Sequence, residues 1–286
     1  MSIFGGSAVD ITQKSGGGIS TDTSATLSGT NINGSFSIAG GSASNMLLEN
    51  GGYLAVLNGH QATSTTINSG GLQRVSSGGS ATGTTINSGG HQYVNSSGSA
   101  TGTTINGSGY QFVSSGGSAT GTTINGSGYQ YIFSGGSATS TTINSSGNQY
   151  VSSGGSATST TINSGGNQYV SSGGSATSTT INSGGYQNVY VNGNVTKTTI
   201  TDGGILQVDA GGSASQVTQN SGGAIVANTS AVLSGTNGKG TFSIAGGSAV
   251  NMLLENGGLL TVLGGHDASD TTVGSDGTLS VQSGGV

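Results

Sequence analysis

The sequence predicts an all-β chain, a right-handed parallel β-helix (β-solenoid) of 19-residue turns. Three observations predict it. Isoleucine recurs every 19 residues, at Ile67, Ile86, Ile105, Ile124, Ile143, Ile162, Ile181 and Ile200. A second column, Val75, Val94, Val113, Ile132, Val151, Val170, Val189 and Val208, and a third, from Ala62 to Ala214, keep the same spacing. The chain also has 59 glycines and no proline. A fixed short period is the mark of stacked supersecondary units, and this one is too short for helix pairs. Crossovers between parallel strands of one sheet are right-handed.

The unit beginning at Gly78 reads GGSATGTTINSGGHQYVNS. Its β-branched and apolar residues fall into two short strands, ATGTTI and HQYV. Glycine-rich corners separate them. Proline is excluded because a stacked strand uses its N–H groups on the turns beside it.

The flanks assign the interior. The stretch from Gly5 to Gly71 recurs 206 residues later, with Phe36 matching Phe242, Met46 to Asn50 matching Met252 to Asn256, and His60 matching His266. Aligned on the GG corners, Leu48 and Leu254 take the place of Ile86, Met46 and Met252 that of Thr84, and Leu54, Leu206 and Leu260 that of Gln92. Ala81, Thr84, Ile86, Gln92 and Val94 therefore point inward. Side chains two apart share a strand face. The organisation expected is one continuous solenoid with an N-terminal flank at 1–71, an array of repeats at 72–210 and a C-terminal flank at 211–286.

Polar columns follow. Gln73, Gln92, Gln111, Gln130, Gln149, Gln168 and Gln187 sit where the flanks carry leucine, and buried amides one turn apart satisfy each other. Asn68, Asn87, Asn106, Asn125, Asn144, Asn163 and Asn182 form a corner column, expected to tolerate positive φ. The outward aromatics Tyr93, Phe112, Tyr131, Tyr150 and Tyr169, with Tyr110, Tyr129 and Tyr186 beside them and Phe133 and Tyr190 on the same face, form a stripe. It reads either as cross-strand stacking or as a contact surface.

Composition narrows the function. Only 5% of residues are charged and the net charge is −5. The chain lacks the basic surface that nucleic-acid binding requires. No run of 18 apolar residues marks a membrane span. Between Gly78 and Gly193 there is no Asp, Glu, Lys or Arg, so the array cannot assemble paired catalytic carboxylates, and the chain is not expected to be an enzyme. Asp267, Asp270 and Asp276 cluster near His266, which reads as a solvated loop rather than a metal or catalytic centre. His60, His91 and His266 read as isolated structural residues. No cofactor is expected. Outward T-x-T rows such as Thr82-Gly83-Thr84 suggest an ice-binding solenoid, but such a face needs both threonines outside and Thr84 aligns with methionine.

The unit SSGGSATSTTINSGGNQYV, Ser152 to Val170, resembles the repeat of the AIDA and TibA group of autotransporter adhesins. The flanks, NMLLENGGxLxVLxGH, resemble passengers of the wider self-associating autotransporter group. The resemblance implies a passenger displayed at the Gram-negative outer membrane or secreted. It implies autoaggregation between cells, biofilm formation and adhesion to host cells, with virulence as the consequence. It also implies O-linked heptose added by a cytoplasmic heptosyltransferase. The candidate acceptors are Ser77, Ser80, Ser88, Ser96, Ser115, Ser118, Ser153, Ser156, Ser172 and Ser175, expected at exposed corners. The candidate contact residues are Tyr93, Tyr110, Phe112, Tyr129, Tyr131, Phe133, Tyr150 and Tyr169. The alternative is an adhesin that binds a host glycan or receptor without self-association. Neither a signal peptide nor a translocator barrel is recognised, so a piece of a passenger is expected.

Overall fold

The computed structural model describes all residues, Met1–Val286, as strands and turns without a helix. Two compact units, 1–141 and 142–286, each fold as a parallel β-solenoid. An array turn has three strands rather than two. Ser80–Thr82, Thr85–Ile86 and His91–Val94 make up one such turn, and each pairs in parallel with its equivalent one turn on. The expected strand ATGTTI is broken at Gly83, whose φ of +64° bends the chain. Ser64, Ser140, Ser159, Ser178 and Lys197 make the same left-handed bend in other turns. The bend also resets the side-chain alternation. Ala81 and Thr84, three residues apart, both end up buried, whereas Thr82 is exposed. One threonine of each T-x-T row therefore lies inside, so the row does not present both threonines outward as an ice-binding face needs.

The two residues of a corner GG have different tasks. Gly116 has a φ of +77°, a conformation that costs an L side chain about 1–2 kcal/mol. Gly117 has no such angle, but a Cβ there would run into the carbonyl oxygen of Val94 in the preceding turn. Stacking at this corner needs backbone against backbone.

The interior is as the alignment predicts. The isoleucine and valine columns are sealed, Ile67 to Ile200 all at 0% exposure. Each fully buried side chain of this size stabilises by about 1.5–3 kcal/mol. The glutamines are equally buried and bond along the axis: Gln92 Nε2 to Gln73 Oε1 at 2.8 Å, Gln111 to Gln92 at 2.7 Å, Gln130 to Gln111 at 2.7 Å. In the second unit Gln168 donates to Gln149 and Gln187 to Gln168, both at 2.6 Å. The buried threonines complete the network. Thr84 Oγ1 donates to Gln73 Oε1 at 3.1 Å and receives Gln92 Nε2 at 3.2 Å. The asparagine column is likewise a ladder, Asn87 to Asn68 at 2.9 Å and Asn182 to Asn163 at 2.8 Å. Its asparagines do not take positive φ, contrary to expectation. At this corner Gly70, Gly89, Gly165 and Gly184 do so, two places on.

The flanks depart from a 19-residue turn. Ser20–Asp22 pairs directly with Tyr53–Val56. The intervening chain makes an antiparallel excursion, Thr26–Asn31 with Gly34–Ala39 and Gly34–Ala39 with Ser42–Ser44. Val232–Asn237, Gly240–Ala245 and Ser248–Val250 repeat it in the second unit. Phe36 and Phe242 are buried at these excursions, each ring packed where a Cβ on Gly29 or Gly235 would stand. His60 and His266 are structural, bonding Thr23 Oγ1 at 2.9 Å and Thr229 Oγ1 at 2.7 Å.

Candidate contact and modification surface

The outward face of the strands equivalent to His91–Val94 carries two adjacent aromatic columns. In the first unit one runs His91, Tyr110, Tyr129, with centroids 5.1 Å apart at each step and planes within 9°. The other runs Tyr93, Phe112, Tyr131, at 4.8 and 5.4 Å. The columns lie 6.1–6.4 Å apart across a turn. Strict register places identical side chains one turn apart, so each ring lies on the next. The faces are taken up by neighbouring rings, and it is the edges and hydroxyls that reach solvent. His91, read from sequence as isolated, is a full member of the stack. The aromatic spacing could have shown this, since it occupies the position of Tyr110 and Tyr129.

In the second unit Tyr150 and Tyr169 stack at 4.9 Å, and Tyr169 meets Tyr190 at 6.3 Å and Tyr186 edge-on at 6.4 Å. Tyr186 donates its hydroxyl to Gln207 Oε1 at 2.6 Å. Burial, reinforced by Asp209 and then by Tyr190 and Tyr169, pushes its phenol up to about 12. Burial also raises Tyr131, with Tyr110 and Tyr129 adding to it, and Tyr169, with Tyr190 adding. Phe133 lies at the corner that follows its strand and makes no ring contact with the columns.

The candidate serines fall into three places. Ser77, Ser96, Ser115, Ser153 and Ser172 lie at exposed corners after the third strand. The first four hold left-handed φ of 49–51°. Ser88 is exposed at the corner after the second strand. Ser80, Ser118, Ser156 and Ser175 are not corner residues. They open the first strand of their turns, and all but Ser156 are half-buried. The sequence missed further serines of the same strained kind, Ser97, Ser108, Ser127, Ser134 and Ser146 at corners and Ser64, Ser140, Ser159 and Ser178 at bends. Their signal was present: serine stands where other turns have glycine, except Ser134, which continues the column of Ser77, Ser96 and Ser115. No group of three or more acids and histidines is brought together as a metal site, Asp267, Asp270 and Asp276 included.

A family model for the adhesin of the bacterial autotransporter system, a probable stalk, matches residues 28–90, 86–128 and 234–286. The chain belongs to this family. Among relatives of this adhesin stalk, the autotransporter adhesin/invasin TibA of Escherichia coli O78:H11 is 77% identical over 61 residues, which is 21% of this chain and 6% of TibA. The autotransporter CRAC of Citrobacter rodentium is 86% identical over 42 residues, 15% of this chain and 3% of CRAC. The chain thus spans a small part of the relatives' length. A crystal structure of a TibA fragment, hyper-glycosylated by TibC, matches the stalk fold with a TM-score of 0.71 and 40% identity. That match covers 98% of this chain and 92% of the fragment.

Proposed function

We propose that this stalk is the cell-surface part of an adhesin that holds bacteria together side by side, driving autoaggregation and biofilm formation and contributing to host-cell adhesion. One observation carries the reading. The array has no charged residue from Gly78 to Gly193, so its faces present hydroxyls, amides and tyrosine edges, repeated turn after turn without electrostatic repulsion. Low charge favours association. A weak contact made once per turn is multiplied along aligned copies, so avidity exceeds any single contact by orders of magnitude. In this reading the array, 72–210, supplies the contact and the flanks, 1–71 and 211–286, hold it. Cells displaying the passenger should settle. Cells displaying a passenger without several array turns should not, and unchanged settling would move the function to the flanks.

We further propose that array serines accept O-linked heptose from a cytoplasmic heptosyltransferase. The support is local strain. Serine occupies left-handed positions where glycine would relax the backbone, and local rules are broken where a side chain is needed. The candidate hydroxyls make no hydrogen bond within the chain, Ser77 and Ser153 among them. The TibC-glycosylated TibA fragment supports the same reading. Intact mass after co-expression with a cognate transferase should rise in heptose steps, and an unchanged mass would end the proposal.

A further inference from the structure

Where the aromatic columns of the first unit begin, the surface forms a depression of about 450 Å³ lined by Tyr53, Leu72, Arg74, Tyr93 and Asn95. That volume suits a small ligand. Arg74 is the single arginine of the chain and pairs in register with Tyr93. The strand Leu72–Val75 puts no ring over Tyr93, which is 36% exposed and stacks only with Phe112 and His91. The exposed Arg74 guanidinium has no hydrogen bond, ion pair or ring contact. Asp22 shares its outward column two turns away, through Ala55, but the Asp22 carboxylate accepts from the backbone and hydroxyl of Ser24 instead. Asn95 Oδ1 is buried and has no donor. Such an unpaired buried acceptor is costly.

We propose that this depression binds an acidic monosaccharide unit. Its carboxylate would take the guanidinium fork of Arg74, which matches carboxylate geometry. A small turn of the Asn95 amide would open its Oδ1 to a ring hydroxyl. The C–H face of the ring would lie against Tyr93. The combination selects an acidic sugar, because a simple inorganic anion brings the charge but not the apolar face for Tyr93, and a neutral sugar leaves the guanidinium unpaired. Nonulosonic and hexuronic acids both carry this chemistry. The site is independent of the self-association reading, since it is tested on the isolated chain in solution and either can fail alone.

The test is saturation-transfer NMR of the purified chain with the methyl glycosides of N-acetylneuraminic acid, glucuronic acid and glucose. One or both acids should respond, showing which class of acid the site takes, and glucose should not. Arg74→Gln should raise the dissociation constant by about tenfold or more, and Asn95→Ala by several-fold. Arg74→Lys, which keeps the charge and loses the fork, should fall between wild type and Arg74→Gln. Circular dichroism of each variant checks that the fold is retained, and amide shifts in the wild type should move at residues 93–95 on titration. Silence with both acids, an equal response to glucose, or unchanged binding by Arg74→Gln would overturn the site.

Discussion

Gln111 Nε2 donates to Gln92 Oε1 at 2.7 Å, with both side chains wholly buried and one turn apart. The same Gln92 oxygen also accepts Thr103 Oγ1 at 3.3 Å, so each rung of the ladder is tied to its neighbours at more than one point.

A single apolar replacement inside the ladder should therefore cost more than one at its end. In Gln111→Leu, Gln130 Nε2 and Thr122 Oγ1 both lose the oxygen they donate to. The expected loss is about 2–3 kcal/mol. Gln187→Leu, next to Leu206, strands only Thr198 Oγ1, leaves Gln168 Oε1 still accepting Thr179 Oγ1, and should cost about half as much. Denaturant melts of the two variants decide this, and equal losses would contradict the ladder's role.

Charge in the apolar columns should be far worse. Val113→Asp or Ile124→Asp buries an unpaired carboxylate and should cost more than about 4 kcal/mol. Tyr131→Ser loses stacking on Phe112 and Tyr129 and should cost about 1–2 kcal/mol. Repeat stability is transmitted between nearest neighbours. Hydrogen exchange should thus place the damage in the turns next to the substitution. Equal melting losses in the two classes would reverse inside and outside.

Serines in left-handed bends should respond the other way. Ser140 has a φ of +58° where Gly83 and Gly102 have +64°. Ser140→Gly removes the Cβ strain at the cost of a more flexible unfolded chain, for a net gain of about 0.5–1 kcal/mol. A loss on chemical denaturation would show that the serine is not strained.

Alkaline pH should weaken the second unit through Tyr186. Its folded phenol titrates near 12, above the ordinary value of 10. Between these values the unfolded chain releases a proton that the folded chain keeps, so this contribution is intact below pH 10 and is lost as pH rises through 12. Absorbance at the phenolate band should show a late-titrating component that shrinks by one tyrosine in Tyr186→Phe, and that variant should lose less stability over the same range.

Most of the fold was legible because one period governs everything. Ile86, Gln92 and Val94 were placed inside by what stands opposite them in the flanks, and Met46 and Met252 revealed Thr84. Two features were not legible, for physical reasons. The break at Gly83 changes the side-chain parity within a continuous β-branched run, and only the backbone angle shows it. The antiparallel excursions were hidden by identical dipeptides. Gly40-Gly41, with both φ positive, is a hairpin turn, whereas Gly116-Gly117 is a corner with only the first positive. In sequence both are simply GG. At the surface, the aromatic columns could be read from spacing, but Arg74 and Asn95 could not. A charge at the edge of a column is unremarkable until its missing partners are seen.

The backbone bonds between turns alternate in direction, Asn87 N to Ile67 O one way and Ser77 N to Ser96 O the other, so their dipoles cancel. The side-chain ladders do not alternate. Gln92, Gln111 and Gln130 all donate toward the N-terminal turn, as do Asn87, Asn106 and Asn125. A one-way current of aligned amide dipoles thus threads the interior, positive toward the start of the chain, and each bond polarises the next. Each added turn extends the chain of mutually polarised bonds, so adding turns should strengthen the bonds already present, and a long array should resist unfolding more per turn than a short one.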